Sequence, residues 1–186
     1  QVLADVGKYN VTLADVTDKA LANGQGIIAK SLSRIAKKKM ADKSPEEQEQ
    51  FVKSVVDSIH VTTDAAKAVE STDLVIEAII ENMKIKKELF SFLDSKAPAG
   101  AIFASNTSSL SISEVASATK REDRFGGFHA FNPVPQMKLI EIVRTSQTSP
   151  ETHETLVEVA KRMGKVPVSC KDSPGFIVNR LLVPYQ

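Results

Sequence analysis

From His60 onward the sequence alternates short apolar runs with helical segments, and this alternation restricts the possible folds more than any other feature. Leu74-Val-Ile-Glu-Ala-Ile-Ile80 and Ala101-Ile-Phe-Ala-Ser105 read as strands, the first fully buried and parallel. Glu81-Asn82 leads from the first into a helix over Lys84–Ser95, and Asn106-Thr-Ser-Ser109 can cap a helix over Ile112–Ala118 after the second. Ile59–Thr62 and Ala65–Val69 repeat the theme as a short strand and a short helix. Strand, polar tip and helix in that order predict a parallel sheet with helices on both faces. The tips Asp15, Glu81, Asn106, Ser108 and His129 would then share the carboxyl edge, where open α/β sheets bind their ligands.

Before this alternation, Gly7 followed by Asn10-Val-Thr-Leu-Ala-Asp15 reads as a helix end, a turn and a short buried strand closing on an acid. In a dinucleotide-binding unit such an acid takes the adenosine ribose hydroxyls, about 20 residues after a glycine-rich loop. Only 14 residues precede Asp15, so that loop and its strand would lie before Gln1. By itself a strand ending in aspartate is a weak signal, and the residue reads more readily as a structural cap. Residues 17–40 predict a long helix capped by Thr17 or Asp18, with an apolar line through Leu21, Ile28, Leu32 and Ile35. Lys30, Arg34, Lys37 and Lys38 recur on it at three- and four-residue steps, giving either a phosphate clamp or a solvated face with cations at the helix C-terminus. Ser44-Pro45-Glu46-Glu47 opens a second helix that ends near Asp57.

Residues 125–144 place a histidine against a glutamate. Phe125–Phe131 and Lys138–Arg144 read as strands, and Pro133 and Pro135 break the pattern between them into a short antiparallel return. With the turn centred near Pro135, His129 falls opposite Glu141. Glu141 interrupts an apolar run, where an unpartnered carboxylate is costly, so it needs a partner. The pair is either an oriented general base or a hydrogen-bonded structural contact. A helix over Pro150–Met163, a strand over Val166–Cys170 and a helix opened by Asp172-Ser-Pro follow, the last carrying Asn179.

The 186 residues, 42% of them hydrophobic, suit one globular domain. The 24 basic and 23 acidic residues nearly cancel, which gives no field for nucleic acid or an anionic membrane, and no apolar run reaches the ~20 residues of a membrane span. Cys170 stands alone, so no internal disulfide forms and a reducing compartment is implied. His60 and His153 lack convergent partners, and no spacing suggests a metal site. Both ends look cut: no initiator methionine or targeting pattern opens the chain, and Phe176–Gln186 stop inside an opening helix.

Taken together, Ser105-Asn-Thr-Ser-Ser-Leu110, His129-Ala-Phe-Asn-Pro-Val-Pro135, Met137-Lys-Leu-Ile-Glu141 and Asp172-Ser-Pro-Gly-Phe-Ile-Val-Asn-Arg180 resemble the L-3-hydroxyacyl-CoA dehydrogenases of fatty-acid β-oxidation. Ala36-Lys-Lys-Lys39 and Glu77-Ala-Ile-Ile-Glu-Asn82 are most similar to the short-chain, mitochondrial-type enzymes of animals. The resemblance implies that His129 is the base, that Glu141 orients it, and that Ser108 and Asn179 hold the substrate oxygen with Asn132 in support. It implies NAD as cofactor, held by Asp15, Ala78, Glu81, Lys86, Asn106 and Ser108, and an acyl-CoA thioester as substrate, held by Ser31, Lys38 and Ser108. Asp15 with no basic residue directly after it fits NAD better than its 2'-phosphorylated relative.

The implied fold is a Rossmann-like α/β, mostly parallel sheet with antiparallel last strands, without the family's first strand and glycine loop. Residues 1–172 would form the NAD-binding domain, and 173–186 the start of a linker or helix to an absent all-helical domain through which the family forms homodimers. Mitochondrial matrix localisation follows from the resemblance alone. The alternative is an inactive fragment or splice product that keeps the catalytic residues. Its sheet would lack a strand between Asn10–Asp15 and Leu74–Ile80, leaving exposed edges, poor stability and little NAD binding. Another branch of hydroxyacid dehydrogenases, or a crystallin-like relative, is disfavoured by the His129 and Glu141 motifs.

Overall fold

The computed structural model describes residues 1–185. Contacts gather the chain into two compact units, Gln1–Ala68 and Val69–Gln186.

In the first unit α1 (Val2–Asp5) precedes β1 (Val11–Ala14). Two helices follow at the expected places, each started by a side chain that satisfies an otherwise unpaired amide. Thr17 accepts from the Ala20 amide at 3.1 Å to cap α2 (Asp18–Lys39). Ser44 and Glu47 form a reciprocal capping box at the start of α3 (Pro45–Asp57). β2 (Ile59–Thr62) then pairs in parallel with β1, Val11 opposite Ile59. α2 buries Leu21, Leu32 and Ala36, close to the expected apolar line. One expectation fails: β1 alternates half-buried and exposed residues rather than being buried, because a two-stranded sheet leaves one of its faces to solvent. Asp64 caps α4 (Ala65–Val69) through the amides of Ala66 and Lys67.

The second unit is built on a five-stranded sheet. Its elements run β3 (Leu74–Glu77), α5 (Met83–Asp94), β4 (Ile102–Ser105), α6 (Ile112–Ala116), β5 (Phe125–Ala130), β6 (Leu139–Arg144), α7 (Pro150–Arg162), β7 (Val166–Lys171) and α8 (Val178–Leu182). The strands lie in chain order, with β3, β4 and β5 parallel, β6 antiparallel to β5, and β7 parallel to β6.

Helices cover both faces, and two adjacent glycines show how closely. A Cβ on Gly126 would lie 2.7 Å from Leu156 of α7, whereas one on Gly127 would lie 2.7 Å from Val143 and 3.1 Å from Ile112 of α6. Successive strand residues point to opposite faces, so β5 is pressed by α7 on one side and α6 on the other. Phe90, Phe103 and Phe125 pack edge to face or tilted beside them, with the Arg121 guanidinium 4.5 Å above the Phe103 ring.

Three expectations need correction here. β3 spans four residues rather than seven and is only half-buried over Leu74–Ile76, because it is an edge strand and the chain turns away at Ala78, where the Ile79 amide bonds Glu77. Asn106–Ser109 do not cap α6; Ser111 does, through the Glu114 amide. Asp172-Ser-Pro does not open a helix. Its carboxylate accepts from the Ser111 hydroxyl and the amides of Ile112 and Ser113, so it caps α6, and α8 begins only at Val178.

Candidate active site

The site rests on the register of two strands. β5 and β6 pair with His129 directly opposite Glu141, as the proline turn dictated. Direct neighbours on one face of an antiparallel pair bring their side chains together. His129 Nδ1 therefore stands 2.7 Å from Glu141 Oε2, with His129 3% exposed and Glu141 fully buried. The other carboxylate oxygen accepts from the amides of Ile177 at 3.0 Å and Val178 at 2.8 Å, so both oxygens are satisfied. Because Nδ1 faces a carboxylate, it is the donor of that pair, and Nε2 is the nitrogen left for another partner. Ser108 Oγ lies 3.2 Å from that nitrogen. Asn179 Nδ2 donates to the Ser108 carbonyl at 3.1 Å, closing the group. The rings of Phe131 and Phe176 flank the imidazole at 4.5 and 5.6 Å.

Next to this dyad the carboxyl ends of β3 and β4 carry a second polar cluster. Glu81 Oε1 accepts from the Thr107 hydroxyl at 2.5 Å, the Ser108 amide at 3.0 Å and the Ser109 hydroxyl at 3.3 Å. Partial burial pushes the Glu81 carboxyl up, but the Thr107 hydroxyl, the Ser108 amide and the Lys86 cation outweigh it and hold the group below its ordinary value. Lys86 is 1% exposed, 2.6 Å from Glu77 and 3.4 Å from Glu81. Glu77 also accepts from the Ser105 hydroxyl at 2.6 Å. Asn106 ties the tip of β4 to β5 by accepting from the Ala130 amide at 2.8 Å.

The second unit thus brings together His129, Glu141, Ser108, Asn179, Glu81, Lys86 and Asn106. Ala78 is exposed just beyond β3, and Asn132 is exposed at the start of the proline turn, outside the described hydrogen bonds of the site. Asp15, Ser31 and Lys38 belong to the first unit. Asp15 is exposed directly after β1 and accepts from the Val16 amide at 2.7 Å. Ser31 is half-buried and Lys38 exposed on α2.

Sequence reasoning missed Glu77, Ser105 and Thr107. The signal for Glu77 was the one that singled out Glu141, an acid interrupting an apolar strand.

The donor set fits a dinucleotide in part. Asp15 is an exposed carboxylate at the carboxyl end of a parallel strand, suited to ribose hydroxyls. The sequence's one Gly-x-Gly-x-x-Ala run, Gly24–Ala29, lies inside α2, where its amides are committed to the helix and cannot cradle a pyrophosphate.

Comparison with known proteins shows the family. Residues 1–173 match the family model described as 3-hydroxyacyl-CoA dehydrogenase, NAD binding domain. The chain belongs to this family. Among 3-hydroxyacyl-CoA dehydrogenases and their kin, it is 56% identical over 185 residues to the pig protein named hydroxyacyl-coenzyme A dehydrogenase, mitochondrial, and 54% identical to its human counterpart. Each alignment covers 100% of this chain and 58% of the relative. The crystal structure of an (S)-3-hydroxybutyryl-CoA dehydrogenase from Ralstonia eutropha superposes with a TM-score of 0.88 at 39% identity, covering 99% of this chain and 62% of that one. The chain therefore spans about three fifths of the length of these relatives.

Proposed function

We propose that this chain carries the proton-transfer site and most of the cofactor-binding domain of an NAD-dependent L-3-hydroxyacyl-CoA dehydrogenase, which oxidises a 3-hydroxyacyl thioester to the 3-ketoacyl thioester. The observation that carries the reading is the buried His129–Glu141 pair with Ser108 on the imidazole's free nitrogen. Bound NAD would supply the hydride acceptor. Nε2 of His129 takes the proton of the substrate's 3-hydroxyl, and the Glu141 carboxylate stabilises the imidazolium that forms. Ser108 and Asn179 hold the substrate oxygen, with Asn132 in support. In the reverse direction the imidazolium returns the proton to the developing alkoxide.

Asp15, Ala78, Glu81, Lys86, Asn106 and Ser108 make up the cofactor side, and Ser31, Lys38 and Ser108 the coenzyme A side. Residues 1–172 form the cofactor domain, and 173–186 lead toward a helical domain through which a homodimer assembles. Pig, rat, mouse and human relatives named as mitochondrial support a place in the mitochondrial matrix.

The test replaces the matching stretch of the pig relative with this chain and compares it with His129→Gln. Turnover of acetoacetyl-CoA should fall about 10²–10⁴-fold, the usual contribution of a general base, while NADH affinity stays nearly unchanged. Undiminished turnover would remove His129 from the role. A second reading, a chain that keeps the dyad without binding NAD productively, rests on one observation: among the described residues β3 is paired on one side only.

A further inference from the structure

The two residues that precede Ile177, Gly175 and Phe176, have left-handed backbone angles, with φ of 72° and 51°. Glycine takes such an angle freely, whereas a bulky side chain rarely does, and a retained outlier of this kind indicates that its surroundings hold it there. Phe176 is 4% exposed, with its ring centroid 5.6 Å from the His129 imidazole. A Cβ on Gly175 would lie 2.8 Å from the Arg180 amide nitrogen, which ties the turn tightly to the residues after it.

The turn redirects the chain. The next two amides, Ile177 and Val178, both donate to Glu141 Oε1, while Oε2 holds His129. The following residue is Asn179, bonded to the carbonyl of Ser108, whose hydroxyl reaches the other imidazole nitrogen. These contacts form a closed circuit from His129 through Glu141, the two amides, Asn179 and Ser108 back to His129.

We propose that Phe176 is a positioning residue: its left-handed backbone aims the Ile177 and Val178 amides at the oxygen of Glu141 that the histidine does not use, so that one carboxylate fixes both the imidazole and Asn179. Two amide donors on an ionised carboxylate are charge-assisted bonds, strong enough to hold the turn in an unfavourable angle. The catalytic meaning of this arrangement rests on reading His129 as the base. The arrangement itself does not, so the two can fail separately.

The test uses the chain as it stands. Phe176→Val and Phe176→Gly both delete the ring, but a β-branched residue resists the left-handed angle that glycine accepts. Two quantities are read by NMR, the exchange rates of the Ile177 and Val178 amides and the side-chain nitrogen resonances of His129. Phe176→Gly should keep exchange within about threefold of the parent, whereas Phe176→Val should speed it about tenfold or more. The His129 resonances should differ between the two variants, because only one retains the donors on Glu141 and the loss of the ring is common to both. Equal protection in the two variants, whether kept or lost, would overturn the proposal, since ring packing or the rest of the turn would then decide the geometry. Should Phe176→Val not fold, Glu141→Gln, which keeps the shape and removes the charge, should also speed exchange of both amides. Unchanged exchange there would overturn it equally.

Discussion

Lys86 shows at the scale of one residue how a charge can act on a site without facing it. An ammonium has three N–H groups, and here three oxygens surround it: Glu77 Oε1 at 2.6 Å, the Ile79 carbonyl at 3.3 Å and Glu81 Oε2 at 3.4 Å. Its charge therefore reaches the sheet edge through Glu81, which gathers Thr107, Ser108 and Ser109. Removing one member of a buried pair leaves the other uncompensated, so Lys86→Met should cost about 3–5 kcal/mol of stability. Adding Glu77→Gln to that variant should restore most of the loss. Urea unfolding of the parent, both single variants and the double variant closes the cycle, and simple additivity would deny the coupling. Glu77 and Glu141 gave the same warning in the sequence, an acid inside an apolar run. Only Glu141 could be given a partner from a turn centre, because Lys86 reaches Glu77 through a helix that crosses over the sheet.

At the scale of elements, the starts of α2 and α3 were legible because each cap lies next to its helix, whereas Ser111, just as close to α6, was passed over for Asn106–Ser109. Thr17 and Ser44 satisfy amides three residues on, a local interaction that the sequence displays. Asp172 is the opposite case, a cap that serves a helix 60 residues earlier in the chain. Partial burial pushes its carboxyl up, but the Ser113 and Ile112 amides and the Ser111 hydroxyl outweigh it and hold the group below the usual aspartate value.

The sign of the resulting pH dependence follows. A depressed folded-state pKa adds stability that is complete above the unfolded pKa, and that stability is lost as pH falls through the folded one. Asp172→Asn, which keeps an acceptor oxygen but loses the charge, should therefore lower stability by about 0.3–1 kcal/mol at pH 7. The gap between variant and parent should close as the pH falls below about 4, where aspartate begins to protonate. Urea midpoints measured from pH 7 to pH 2.5 check this, and a gap that does not depend on pH would show that the charge is idle.

At the scale of the whole molecule, β1 and β2 form a sheet of their own and β3 to β7 another, so no single hydrogen-bonded sheet carries both Asp15 and the His129 edge. The pyrophosphate of NAD needs a glycine turn at a helix start, and the one glycine pair of that spacing is inside α2. NADH titration by fluorescence should therefore show binding by the chimera with the pig relative at least about tenfold tighter than by this chain alone, because lost phosphate contacts are charge-assisted bonds. Equal affinity would mean that these 186 residues make a complete cofactor site and would sink the second reading.

What the sequence by itself determined was set by near neighbours: the apolar line of α2, the caps of α2 and α3, the strand, tip and helix order that made the sheet parallel, and the turn centre that placed His129 opposite Glu141. What only the tertiary structure decided were the contacts between segments distant along the chain. These are Asp172 on α6 and the left-handed turn that lays the Ile177 and Val178 amides on Glu141. The reason is physical. Local patterns record the geometry of one element, whereas a buried charge or a backbone amide bonds whichever partner the packed sheet brings within about 3 Å, and nothing in its own segment names that partner.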